Sequence, residues 1–113
     1  MKELEIKTYN FSVQAIGLIK SLEKEFPKLV NPELKKALGN VSIKFMDAMD
    51  ADENTDFANN LRDSKENAEK SYELLSQMGS IQNELFNSQR NTLISEAQEI
   101  KEKLENIISK LIY

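Results

Sequence analysis

Asp50, Asp52, Asn54 and Asp56 fall on alternate positions, the spacing with which a calcium-binding loop offers its first oxygen ligands. Such a loop also needs a glycine at its sixth position for the sharp turn and a glutamate at its twelfth to close the shell. Those two places hold Thr55 and Leu61. The run therefore reads as an acidic turn between helices, and no metal ligand is assigned. Histidine and cysteine are both absent. Their absence removes the commonest general base, the thiolate nucleophile and the usual nitrogen and sulfur ligands of transition metals. A carboxylate-bridged dimetal centre needs Glu-x-x-His pairs from facing helices, which this chain lacks. Gly17, Gly39 and Gly79 are isolated, so no glycine-rich phosphate loop exists. These exclusions predict a protein that is not an enzyme, with no catalytic residue, no cofactor and no small-molecule substrate.

Basic side chains are the remaining candidates for binding. Lys24, Lys28, Lys35 and Lys36 surround one predicted turn, and Lys44 follows. They are suited to phosphate contacts, but no arginine is interleaved with them. Residues 1–50 carry eight Lys against seven Asp and Glu (+1), and residues 51–113 carry seven Lys and Arg against twelve (−5). The overall charge of −4 disfavours nucleic-acid binding, which rests on neutralising phosphates.

The elements that would carry these residues are helices. Phe57, Leu61, Ser64, Ala68, Ser71, Leu75 and Met78 alternate steps of four and three, which sets them on one face of a helix. Leu93, Ala97, Ile100, Leu104, Ile107 and Leu111 repeat the rhythm after Gly79, a natural helix stop. Upstream, a first helix is predicted from about residue 4 to Phe26, ended by Pro27. Its main stripe is drawn through Tyr9, Val13, Ile16, Ile19 and Phe26, with Phe11, Ala15, Leu18 and Leu22 beside it. Gly17 lies within that helix and suggests the close approach of a neighbour. A second helix opens at Asn31-Pro32-Glu33, a cap, a first-turn proline and an acid at the positive dipole end. Leu34, Leu38, Val41, Phe45 and Ala48 form its stripe. Asn54 or Thr55 is the expected cap of the third helix and Ser80 that of the fourth.

Short links between long helices give an all-α, antiparallel up-down-up-down four-helix bundle, one domain over residues 1–113. The small residues Ser64, Ala68 and Ser71 predict a tight seam on the third helix. No apolar stretch is long enough to span a bilayer and no secretory leader is evident, so a cytoplasmic protein with no membrane partner is expected. Phe11, Leu18, Ile43, Leu85, Ile94, Ile108 and Ile112 lie outside or at the margin of the main stripes. Surplus apolar surface of this kind predicts a homo-oligomer, with these residues at its interface.

The chain resembles the small four-helix-bundle proteins encoded by intervening sequences within bacterial 23S ribosomal RNA genes. The resemblance runs along the whole chain. The family's Lys-Lys-Phe-Pro stretch has its counterpart in Lys24-Glu25-Phe26-Pro27, and its Ile-Arg-Arg-Ala run in Leu34-Lys35-Lys36-Ala37. Asn40-Val41 stands for its Ser-Ile, and Lys44-Phe45-Met46-Asp47-Ala48 holds the place of its Asn-Ile-Ala-Glu-Gly signature. Asp56-Phe57, Asn60-Leu61-Arg62-Asp63-Ser64 and Met78-Gly79 match the register of its third helix. The resemblance implies an antiparallel bundle assembling into a homopentameric ring, in a family with no established biochemical activity. A related bundle, the accessory protein of diversity-generating retroelements, is similar in fold, and is thought to bind nucleic acid and a reverse transcriptase through basic surfaces. By that likeness Lys35, Lys36 and Arg62, at the family's basic positions, are the candidate nucleic-acid contacts.

Overall fold

The computed structural model describes residues 1–111, which form the helices α1 (Lys2–Glu25), α2 (Pro32–Met49), α3 (Asn54–Gln77) and α4 (Glu84–Ile108) and a single 3-10 turn at Pro27–Leu29. Each start and stop has a local cause. Pro27 closes α1, and Asn31 caps α2 by accepting the Glu33 N–H at 2.8 Å. Gly79 alone among the described residues takes a positive φ, 75°, directly after the last residue of the α3 C-cap. The other two caps differ from expectation. Glu53, with no side-chain cap bond, precedes α3, and Asn83 rather than Ser80 caps α4, accepting the Phe86 N–H at 3.0 Å. Ser80 lies too early because Ile81 is first drawn inward, its N–H held by the Asn87 side chain at 3.1 Å.

The helices pack as a four-cornered, all-α bundle of 46 × 21 × 19 Å, with α2 between α1 and α3 and α4 between α3 and α1. The predicted stripe of α2 is buried along its whole length, as are Leu61, Ser64, Ala68, Ser71 and Leu75 of α3 and Leu93, Ala97, Ile100 and Leu104 of α4. Two serines fasten α2 from either side. The Ser64 hydroxyl donates to the Val41 carbonyl and the Ser12 hydroxyl to that of Leu38, both at 2.7 Å and buried. A large side chain at either position would hold the helix axes further apart, so the small seam of α3 is a true close approach.

In α1 the core row is Leu4, Thr8, Phe11, Ala15, Leu18, Ile19 and Leu22, while Tyr9 and Val13 face outward. Phe11 (0 % exposed) and Leu18 (3 %) are therefore core residues and not the interface residues that the stripe count suggested. Helical periodicity allowed both rows; burying Phe11 and Leu22 sends the phenol of Tyr9 to the wet side, where its hydroxyl needs no internal partner. Gly17 is not the site of a close helix contact within the chain either. A Cβ placed there, or at Gly39, would meet nothing within 4 Å.

Candidate functional site

The apolar surplus lies on the outer face of α1 and α2. Ile6, Tyr9 and Val13 follow one another along α1, and Ile43 and Met46 lie one turn apart on α2; all five are between 37 % and 59 % exposed. Tyr9, Val13, Ile16 and Ile43 border a groove of about 420 Å³ whose other lining residues include Gly17, Gly39, Ser12 and Ser42. It continues toward Glu5, Met46 and Asp47 at one end and Lys20 at the other.

Of the predicted interface residues, Ile43 belongs to this face. Leu85, 64 % exposed, stands on the other side of α1, beside a cleft between α1 and α4. Ile94 and Ile108 are half-buried and pack against the core, and Ile112 lies outside the described residues. Sequence reasoning missed Ile6, Tyr9, Val13 and Met46. For the three on α1 the available signal was the doubling of apolar rows, which required one of the two to remain outside; for Met46 it was the three-residue spacing from Ile43 on α2.

Lys35, Lys36 and Arg62 do not form one cluster. Lys35 is drawn to Glu23 of α1 at 3.3 Å, whereas Arg62 donates to Asn59 on its own helix at 3.3 Å. The bond from Ser64 to Val41 places Arg62 near residue 43 of α2, about 10 Å along the axis from Lys36 at 1.5 Å per residue. The acidic turn is similarly unsuited to wrapping an ion, because Asn54, Thr55 and Asp56 are already the first turn of α3. Among the described residues no group of three or more Asp, Glu, His or Cys could hold a metal ion. No described helix is long and apolar enough to cross a membrane.

Electrostatics is concentrated where α1 meets α4. Lys7 pairs with Glu99 at 2.9 Å and Lys103 with Glu3 at 3.4 Å. The hydrogen bond from Lys7 holds the Glu99 carboxyl below its ordinary value of 4.5. Burial pushes Glu96 above it, partly offset by the charge of Lys7 and reinforced by that of Glu99. The cleft nearer Leu85 is lined by Gln14, Ser21, Gln89 and Thr92 and contains no titratable group. Arg90 continues the α4 core row one step before Leu93 and is only 8 % exposed. Its terminal nitrogen donates to Asn91 at 3.0 Å, while its Nε and the Ser71 hydroxyl, both buried, have no hydrogen-bond partner among the described residues.

Fold and surface together define a four-helix bundle distinguished by an open apolar face rather than by a pocket of reactive groups. No protein-family model matches the sequence, and no curated protein does. Among solved structures, the chain is similar to a protein of unknown function from the S23 ribosomal protein family of Bacteroides thetaiotaomicron, with a TM-score of 0.78 and 18 % identity over 96 % of this chain and 97 % of that one. The likeness shows the same all-helical fold from end to end.

Proposed function

We propose that this protein is a non-enzymatic scaffold that assembles with copies of itself through the outer face of α1 and α2. The observation that carries the reading is the strip of Ile6, Tyr9, Val13, Ile43 and Met46, each more than a third exposed. At about half exposure these side chains present an apolar patch of ~400 Å² or so, near the largest that monomers usually leave in water. With a polar rim, a patch of that size supports a standard interface of about 800 Å² per partner. The resemblance to the proteins of 23S ribosomal RNA intervening sequences supports a cytoplasmic homopentamer. In this reading the protein takes no substrate or cofactor and works by presenting several identical bundles to other molecules.

Light scattering coupled to size exclusion tests the proposal. The expected mass is a fixed multiple of the 13.0 kDa chain, five-fold if the resemblance extends to stoichiometry. A strictly monomeric species at high concentration overturns it.

A further inference from the structure

The chain carries both an unfilled groove and a bare apolar side chain able to fill it. Leu85, in the first turn of α4, is the most exposed of the large apolar residues described, at 64 %. The groove on α1 and α2 has Gly39 in its wall, where a Cβ would meet nothing within 4 Å. Packing within the chain therefore does not require glycine there, although a helical glycine costs about 1 kcal/mol relative to alanine. What the missing Cβ preserves is space open to the outside. Charges at the two surfaces match as well. Lys20 lines the groove and Glu84 adjoins Leu85, and neither is in an ion pair among the described residues.

We propose that Leu85 of one copy seats in the groove beside Gly39 and Ile43 of the next, with Glu84 of the first meeting Lys20 of the second. This rests on the self-assembly reading and names its contact. Groove and knob are different surfaces, so the contact is heterologous and every copy offers both halves. The two surfaces flank α1 in a four-cornered bundle, about a right angle apart, so successive copies turn toward closure in a small ring instead of extending as a filament. A two-fold dimer across the groove would set Tyr9, Val13 and Ile43 against themselves and leave Leu85 in water.

Cross-linking tests the contact directly, because the chain has no cysteine of its own. Leu85→Cys and Ile43→Cys are made singly and together, and treated with a short bismaleimide under conditions where the unmodified protein assembles. The double variant is expected to give a ladder of covalent multimers, and the 1:1 mixture of single variants a covalent dimer; each single variant alone gives none. Self-linking of Ile43→Cys, or no linking in the double variant, overturns the knob-and-groove contact while leaving self-assembly standing. A second measurement uses Leu85→Glu and Ile43→Glu, both surface changes checked for helicity by circular dichroism. Each alone is expected to lose the assembled state, and assembly of either one alone to wild-type mass overturns the contact. A monomeric unmodified protein removes the self-assembly reading itself, and this contact with it.

Discussion

Along the inner side of α3, Ser64, Ala68 and Ser71 are shut away by the neighbouring helices, and the Ser64 hydroxyl reaches a carbonyl of α2 at 2.7 Å. Along the outer groove of α1 and α2, Gly17 and Gly39 are just as small, yet a Cβ at either would meet nothing within 4 Å. Small residues in a helix permit close approach in both places, but only at the seam does the chain itself supply the approaching surface. The seam is therefore a feature of the fold, whereas the groove is surplus to the fold and available to a second molecule.

The largest effect separating the two regions is expected from added volume. Ala68→Leu forces a side chain into a position that is 0 % exposed and should destabilise the protein by about 3 kcal/mol, as overpacking of a filled core does. Gly39→Leu, which adds even more volume in the groove, should shift the urea midpoint far less. Ser64→Ala lies between them, losing one buried hydrogen bond worth about 1 kcal/mol. Equal losses at Ala68 and Gly39 would erase the distinction between seam and groove.

These contrasts also explain what the residues disclosed in advance. The α2 stripe was legible because Leu34, Leu38, Val41, Phe45 and Ala48 are one continuous apolar row, which Ile43 and Met46 on the other side are too few to rival. The α3 seam was legible because nothing large competes with Ser64, Ala68 and Ser71 on that face. In α1 two apolar rows coexist, and periodicity does not rank them; burial of Phe11 against the other helices decides, and that is a tertiary event. The same ambiguity affected which residues were counted as surplus apolar surface, since any row left over by a wrong choice is counted as surplus. Arg90 shows the opposite failure. Its place in the heptad is readable one step before Leu93, but charged side chains are seldom buried, so residue type points away from the core position it occupies.

A smaller effect of opposite sign is expected at the glycines. Gly17→Ala and Gly39→Ala each meet open space and should raise the stability of the isolated chain by up to ~1 kcal/mol, through better helix propensity and a less flexible unfolded state. Chemical denaturation in an Ile43→Glu background separates this gain from any change in assembly. In the unaltered background Gly39→Ala should weaken assembly while stabilising the subunit, a pairing of signs that a purely structural glycine would not produce. A destabilised subunit would show instead that the chain does close upon the groove.

The smallest effect concerns the contact of α1 with α4, which is ionic where the groove is apolar. Glu99 titrates below its ordinary value of 4.5 because Lys7 hydrogen-bonds to it. Its contribution to stability is thus present above that value and lost as pH falls through the lower, folded-state value. Glu96 is shifted upward by burial, so the folded chain holds that proton more tightly than the unfolded one. Its cost to stability applies at higher pH and disappears as pH falls through and below the ordinary value. The two slopes have opposite signs and lie on either side of the ordinary value, that of Glu96 above it and that of Glu99 below, so stability should change little across the acid range, as befits exposed pairs. Carboxyl NMR titration resolves what stability alone would blur: Glu96 should titrate above Glu99. Lys7→Met should move both upward, Glu99 by losing its hydrogen bond and Glu96 by losing the charge that offsets its burial. If Glu99 were unmoved by that substitution, the ion pair at 2.9 Å would not be what sets its proton affinity, and Lys103–Glu3 at 3.4 Å would be left as the ionic tie between α1 and α4.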